Sequence, residues 1–135
     1  MSEKKRIEVV AAVIEFDDQI LCVQRGENKY DYISYKWEFP GGKIEDGETE
    51  EQALAREIQE ELHVKIRVGE KLVTVNREYL DFTLCVHAYR CTVDTPTVYL
   101  TEHIAFNWIG PSHLQAFDWA AADVPIVEKL TNGSV

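Results

Sequence analysis

The stretch from Gly42 to Val64, GKIEDGETEEQALAREIQEELHV, indicates both a local structure and a chemistry. Its glycine-containing turn leads into a helical pattern that carries Glu57, Glu60 and Glu61 at positions i, i+3 and i+4. Side chains three and four residues apart share one face of a helix. Three carboxylates on one face repel one another unless a cation lies between them, and Mg²⁺ prefers oxygen ligands of this kind. The stretch therefore predicts a loop and helix that hold a divalent cation.

The same stretch resembles the signature of the Nudix hydrolase family. That signature reads Gly, five residues, Glu, seven residues, Arg-Glu-apolar-any-Glu-Glu-any-Gly-apolar. Six of its seven fixed residues are present here: Gly42, Glu48, Arg56, Glu57, Glu60 and Glu61. His63 stands where the family has glycine. Helices often end on a residue with positive φ, and His is among the few other residues enriched there. We therefore expect His63 to end the helix without a catalytic role.

The resemblance implies a catalytic metal site. In MutT-like members of the family, the residues that match Glu57, Glu60 and Glu61 bind divalent metal. The first of them is also a candidate general base, and which carboxylate takes the proton stays open. A backbone carbonyl beside the glycines is a further metal ligand in the family, and Gly41 is its best match. Another carboxylate comes from a loop six residues before a tryptophan, which indicates Glu102. A plain tight turn at Gly41 and an ordinary loop charge at Glu102 are the alternatives.

Three other positions follow from the same resemblance, and a fourth, Lys43, is selected for its place after the glycines. Glu48 and Arg56 are expected to be structural partners across the loop and the helix. Arg25 ends the second predicted strand, where MutT-like enzymes have an arginine near the phosphates. Lys43 follows the glycines and can also meet a phosphate. An ordinary surface position is the alternative for Arg25 and for Lys43.

Asp123 is the candidate residue for reading a nucleotide base. It takes the place of a base-reading asparagine in MutT, as an acidic residue does in the CTP-type relatives. An ionised carboxylate only accepts hydrogen bonds, which suits the amine of cytosine or the N–H groups of guanine but not uracil or thymine. The alternative is a cap on the last helix, and both roles can hold. The aromatic side chains that can stack on a base, or simply pack, are Phe39, Trp119, Tyr30, Tyr32 and Tyr35.

Hydrophobic patterning predicts an α/β protein. Thr49 and Gln52 form a capping box for a helix that runs to about Leu62, with an apolar stripe toward a sheet. Ser112 is expected to cap a short helix, and Asp123 to open the C-terminal one. The resemblance implies the Nudix fold, a mixed β-sheet sandwiched between α-helices. The predicted strands and short extended stretches are 7–14, 19–25, 37–40, 64–68, 71–79, 82–93, 97–100 and 104–109.

Length and composition predict a single Nudix domain over residues 1–135. No apolar run approaches the 18 or more residues of a membrane span, and the N-terminus does not resemble a signal peptide. The odd number of cysteines favours reduced thiols at Cys22, Cys85 and Cys91. We therefore expect a cytoplasmic protein that has no membrane partner and is either a monomer or a homodimer.

The net charge of −10 disfavours polymeric nucleic acid as a partner, because phosphate binding needs clustered lysines and arginines. The excess is concentrated between residues 45 and 61, where eight carboxylates accompany a single arginine. An anionic substrate would be repelled there, so the charge alone argues for a metal.

The sequence thus predicts a Mg²⁺-dependent nucleoside triphosphate pyrophosphohydrolase, with Mn²⁺ as an alternative metal. The expected substrates are cytosine nucleotides or oxidised nucleotides such as 8-oxo-dGTP, and the expected role is sanitation of the nucleotide pool. One alternative is a Nudix hydrolase of a nucleotide sugar or dinucleotide. Another is a nucleotide-sensing module without catalysis, against which the full set of carboxylates argues.

Overall fold

A computed structural model describes residues 4–31 and 33–132. Within this part of the chain the helices are α1 (Glu50–Leu62) and α2 (Val124–Asn132), with 3₁₀ turns at Pro111–Ala116 and Ala121–Asp123. The strands are β1 (Lys5–Phe16), β2 (Gln19–Gln24), β3 (Trp37–Glu38), β4 (Gly41–Lys43), β5 (Arg67–Glu78), β6 (Phe82–Thr92) and β7 (Ala105–Ile109). The predicted α/β class is confirmed.

The sheet is mixed. Its main order is β3-β2-β1-β6-β5, with β4 pairing to β1 and β7 pairing to β2. The central strands β1 and β6 run parallel along their length, from the pair Lys5 and Phe82 to the pair Glu15 and Thr92. The other pairs of strands are antiparallel. The short strand β4 thus brings the two glycines against the middle of β1.

Each face of the sheet is covered by one helix, because alternate residues of a strand point to opposite faces. On one face Val10, Ala12 and Ile14 of β1 pack in a core with the apolar stripe of α1. On the other face Ala11 and Val13 pack in a core with apolar residues of α2. The sheet sandwiched between helices, as expected from the resemblance, is confirmed.

The predicted boundaries of α1 are confirmed at both ends. The Thr49 hydroxyl accepts a hydrogen bond from the Gln52 N–H at 3.1 Å, and the Gln52 side chain accepts one from the Thr49 N–H at 2.9 Å. His63 ends the helix in the left-handed conformation, with φ of 56°. This is the conformation for which the family uses glycine, so His63 fills a structural position.

Three predictions of secondary structure were wrong. The stretches 64–68 and 71–79 are not two strands, because β5 runs continuously from Arg67 to Glu78 and its irregularities are absorbed as register shifts against β6. The stretch 97–100 is not a strand, since the Tyr99 N–H donates to the Leu62 carbonyl at the end of α1 instead of to a sheet edge. Ser112 does not cap the short helix, whose N-cap position is Gly110.

Cys22, Cys85 and Cys91 are buried free thiols. No helix in the described part of the chain is long and apolar enough to cross a membrane.

Candidate active site

The two glycines allow β4 to pass closely between β1 and α1. Gly42 pairs with Val10, and a Cβ atom at residue 42 would overlap the carboxylate of Glu57. Gly41 pairs with Ala11, and a Cβ atom there would overlap the carbonyl oxygen of Val10. Neither glycine has a positive φ. The requirement for glycine is therefore close approach rather than a left-handed backbone, and it brings the loop directly against the carboxylates of the helix.

Arg56 ties the loop to the helix. Its guanidinium donates two hydrogen bonds to Glu48, from Nε at 2.7 Å and from Nη2 at 3.0 Å, and a further one to the Lys43 carbonyl at 3.0 Å. Nη1 donates to Glu57 at 3.0 Å and to Glu60 at 3.1 Å. The hydrogen bonds from Arg56 lower the pKa of Glu48, and those to Glu48 and Glu57 raise the pKa of Arg56. The expected pairing of Glu48 with Arg56 is therefore present, and it also orients two of the predicted metal ligands.

Glu61 is the buried member of the carboxylate cluster, with 5% of its surface exposed. Its pKa is raised to about 9, first by burial, then by a hydrogen bond and charge from Glu57, and further by the charges of Glu38 and Glu102. Burial and like charges both disfavour the ionised form. Without a cation, the raised pKa favours the protonated form of Glu61. The crowding of carboxylates predicted from the helical spacing is present, and it also includes Glu38.

Glu38 and His103 are part of the site, although the sequence analysis selected neither residue. The Arg25 Nε donates to Glu38 Oε1 at 2.8 Å, and His103 Nε2 lies 2.8 Å from Glu38 Oε2. Burial raises the pKa of Glu38, but these two partners more than offset it and the net shift is downward. The available signal was a charged residue between two aromatic residues, Trp37 and Phe39, three positions before Gly41.

The second nitrogen of His103 is oriented toward the cluster. Nδ1 lies 3.9 Å from Glu61 Oε1, and only 5% of the His103 side chain is exposed. Nδ1 is buried and has no hydrogen-bond partner among the described residues. A buried polar atom without a partner is costly unless a ligand or water satisfies it. The site therefore contains an unused hydrogen-bonding position beside its buried carboxylate.

Asp123 lies close enough to Glu38 and Arg25 for their charges to act on it. Its Oδ2 accepts a hydrogen bond from the Phe39 N–H at 3.0 Å. The pKa of Asp123 is raised to about 8, first by burial and then by the charge of Glu38, against opposing effects of the Phe39 N–H and of Arg25. A protonated carboxyl donates as well as accepts. Only the ionised form of Asp123 is expected to disfavour uracil, so this base preference depends on whether Asp123 is protonated.

The predicted aromatic residues differ in accessibility. Phe39 is 4% exposed, and its ring stacks on Trp119 with centroids 4.7 Å apart, so these two rings pack on each other. Tyr30 and Tyr35 are exposed in the loop before β3, whereas Tyr32 lies outside the described residues. The Phe39–Trp119 stack therefore holds in place the Phe39 backbone N–H, which donates a hydrogen bond to Asp123.

Glu102 and Lys43 lie at the exposed edge of the carboxylate cluster, which is called the rim of the site. Glu102 is exposed in the loop before β7, near enough for its charge to act on Glu61. The Lys43 side chain is exposed, and its carbonyl is held by Arg56. The structure therefore brings together the carboxylates of α1, the glycines, Glu38, His103 and the rim residue Glu102. Apart from the His103 ring nitrogens, the donors in this set are carboxylate and backbone carbonyl oxygens, which fits a hard divalent cation.

Comparison with known proteins agrees with this geometry. The NUDIX domain model matches residues 4–130, and the chain belongs to this family. It is 39% identical over 126 residues to the CTP pyrophosphohydrolase of Escherichia coli K12, covering 93% of this chain and 92% of that protein. It is 28% identical over 127 residues to the 8-oxo-dGTP diphosphatase of the same strain, covering 93% and 97%.

Solved structures share the fold over nearly the whole chain. The solution structure of the E. coli ORF135 protein superposes with a TM-score of 0.80 at 39% identity, covering 93% of this chain and 88% of that one. The crystal structure of the MutT protein from Methanosarcina mazei Go1 gives a TM-score of 0.85 at 26% identity, covering 98% of both. The protein is a MutT-like Nudix hydrolase that acts on phosphoric anhydride bonds.

Proposed function

We propose that this protein is a Mg²⁺-dependent nucleoside triphosphate pyrophosphohydrolase that converts a (d)NTP and water to the monophosphate and pyrophosphate. Mn²⁺ is the alternative metal. The observation that carries the proposal is the buried carboxylate Glu61, which lies beside Glu57 and Glu38 with a pKa raised by burial and by their charges. Such crowding is relieved by a cation, and a cation is what a triphosphate needs in order to approach a chain of this charge.

The proposed metal ligands are the Gly41 carbonyl and the carboxylates of Glu57, Glu60, Glu61 and Glu102. A bound cation polarises phosphate oxygens and lowers the pKa of water. Glu57 is the proposed general base, because Arg56 orients its carboxylate with a hydrogen bond of 3.0 Å within the carboxylate cluster that would hold the metal. The proposed roles of Lys43 and Arg25 are contacts to the phosphates, and Arg25 reaches them from its position on Glu38.

The proposed substrates are cytosine nucleotides, such as CTP, dCTP and their modified forms, followed by oxidised nucleotides such as 8-oxo-dGTP. The order rests on the higher identity to the E. coli CTP pyrophosphohydrolase than to the 8-oxo-dGTP diphosphatase. Asp123 and the neighbouring Phe39 are proposed to contact the base. The proposed biological role of the protein is the removal of unwanted nucleotides from the nucleotide pool. We also propose that residues 1–135 act as one domain, because the sheet joins strands from β1 to β7 and α2 packs in a core against it.

The proposal is tested by turnover of a nucleotide panel with Mg²⁺, in which pyrophosphate is separated from orthophosphate. The panel contains CTP, dCTP, 5-methyl-dCTP, 8-oxo-dGTP, dGTP, UTP, ADP-ribose and a nucleotide sugar. We expect pyrophosphate from the cytosine or oxidised guanine triphosphates. Hydrolysis confined to ADP-ribose and the nucleotide sugar would contradict the proposal and indicate a hydrolase of nucleoside diphosphate derivatives.

The variant Glu57→Gln tests the assignment of the site. Removal of a general base lowers kcat by about 10²–10⁴-fold. The matched control is Glu51→Gln, an exposed glutamate in the first turn of the same helix, which should retain wild-type turnover. Full activity of a folded Glu57→Gln enzyme would remove Glu57 from the mechanism.

A further inference from the structure

A second group of metal-ligating side chains lies on the α1 face of the sheet. Glu8 of β1 pairs with Cys85 of the parallel strand β6, and His87 follows two residues later on the same face. His87 Nε2 lies 2.7 Å from Glu8 Oε1 and 3.5 Å from Cys85 Sγ, and the three ligand atoms lie within 4.8 Å of one another. Cys85 is fully buried, and His87 is 8% exposed. The proposed function uses none of these residues.

The spacing of these atoms matches tetrahedral coordination of a transition metal. Zinc bonds of about 2.0–2.3 Å to nitrogen, oxygen and sulfur separate neighbouring ligand atoms by roughly 3.3–3.7 Å. The cysteine–histidine pair already has this separation, and the Glu8 carboxylate needs to move by only about 1 Å. A thiolate, an imidazole and a carboxylate favour Zn²⁺, whereas Mg²⁺ prefers oxygen ligands alone. The geometry points to a Zn²⁺ site formed by Glu8, Cys85 and His87, with water as the fourth ligand.

The group is separate from the carboxylate cluster of the active site. His87 lies beside Glu50, with Nδ1 at 3.5 Å from Glu50 Oε2. Glu50 is the first residue of α1, whereas Glu57 and Glu61 lie two and three turns further along. At a rise of 1.5 Å per residue, the two sites are about 10–16 Å apart along the helix axis. Occupation of one site is therefore measurable without occupation of the other.

A carboxylate is in place to orient the histidine. Histidine ligands usually use their second ring nitrogen to contact a carboxylate, carbonyl or water. Glu50 Oε2 lies 3.5 Å from His87 Nδ1, which is close to this role, and Glu50 Oε1 accepts hydrogen bonds from the Tyr89 hydroxyl at 2.6 Å and from Lys71 Nζ at 3.0 Å. Lys71 Nζ also lies 2.9 Å from Nδ1. When Nε2 binds the metal, Nδ1 carries the proton and no longer accepts from Lys71, so the partly exposed Lys71 side chain moves away from Nδ1 while it retains its contact with Glu50.

The charges around the site accommodate the ion. Arg6 contacts Glu8, and Lys71 contacts Glu50, so two cations balance two carboxylates in the metal-free protein. Burial raises the pKa of the Cys85 thiol, which is therefore protonated without a metal. Binding of Zn²⁺ releases this proton to solvent and adds one net positive charge to a chain of net charge −10. The ion would join the central parallel strands β1 and β6 near the start of α1.

Cobalt substitution tests the site, because Co²⁺ occupies zinc sites and a Co²⁺–thiolate bond gives a charge-transfer absorption band. The full-length protein is titrated with Co²⁺ in excess Mg²⁺, which fills the carboxylate site. We expect one equivalent of Co²⁺ to produce the band in wild type and in Cys91→Ala, the matched buried cysteine on the same strand and face. Cys85→Ala should abolish the band. Absence of the band in wild type, or its survival in Cys85→Ala, would overturn the assignment.

Thermal unfolding with Zn²⁺ in excess Mg²⁺ provides a second readout. An ion that binds only the folded state raises the melting temperature. Zn²⁺ should raise it in wild type and in Cys91→Ala, and this increase should be lost in Cys85→Ala and His87→Gln. The histidine variant keeps the test decisive if the cysteine variant fails to fold. An equal increase in wild type and His87→Gln would place Zn²⁺ elsewhere and contradict the proposal.

Discussion

The backbone of Gly42 lies directly against the carboxylate of Glu57, with no space between them for a Cβ atom. This contact joins β4 to α1 at the point where the chemistry is proposed to occur. Because Gly42 also pairs with Val10 in the centre of β1, the loop cannot retreat without breaking sheet hydrogen bonds. Gly42, the glycine of the Nudix signature, therefore determines where the Glu57 carboxylate can lie.

Gly42→Ala should displace Glu57 and lower kcat, while the fold is kept by its two large cores. A displacement of about 1 Å at a catalytic group costs on the order of 10²-fold in rate. The matched control is Gly110→Ala, where a Cβ atom would lie 3.8 Å from His113 Nδ1, an ordinary contact. Steady-state kinetics of the two variants checks the prediction, and equal activity would show that Glu57 tolerates displacement.

Arg56→Lys should lower both stability and turnover. A lysine cannot reproduce the two hydrogen bonds to Glu48 together with those to Glu57 and the Lys43 carbonyl. The control is Arg67→Lys, whose partner Asp94 is largely exposed, and a change there should stay within about 0.5 kcal/mol of wild type. Urea unfolding and kcat are measured for both variants. A stability loss no greater for Arg56→Lys than for Arg67→Lys would contradict the structural role of Arg56.

His103→Ala should lower activity by about 10–100-fold, the usual effect of removing a residue that orients a catalytic or metal-binding group. The substitution removes the contact with Glu38 and the buried Nδ1 beside Glu61. His103→Gln, which retains a side-chain donor, should recover part of the loss. His113→Gln, at an exposed position, is the control. If His103→Ala has wild-type kcat and the same Mg²⁺ dependence, His103 has no positioning role.

The sequence predicts best what depends on local spacing. The capping box of Thr49 and Gln52, the left-handed His63 and the crowding of Glu57 with Glu61 all follow from positions within one helix. Contacts between distant segments were harder to foresee. Glu38 and His103 are 65 residues apart, and their pairing depends on β3 and β7 both lying beside β2. A period-two pattern likewise cannot show whether a stretch such as 97–100 finds a free sheet edge or the end of a helix.

The metal-free protein should lose stability as the pH rises. Glu61 and Asp123 have folded-state pKa values of about 9 and about 8, raised above ordinary values of 4.5 and 3.8. The folded state thus retains protons that the unfolded state has released, so their contribution to stability is complete below about pH 4 and is lost as the pH rises toward 9. Melting temperatures measured in chelator should show this decline. Glu61→Gln and Asp123→Asn should each reduce it, and an unchanged decline in both would contradict the assignment.

Mg²⁺ affinity should rise over the same range of pH, because the ion binds the ionised form of Glu61 and must displace its proton. The pKa of about 9 predicts that, below pH 9, binding becomes about tenfold weaker for each unit by which the pH falls, until another ligand becomes protonated. Calorimetric titration with Mg²⁺ in buffers of different ionisation enthalpy measures both the affinity and the proton released. In Glu61→Gln the proton release should disappear and the affinity should fall at high pH. Proton release that persists in this variant would assign the linked proton to another carboxyl and remove Glu61 from the metal site.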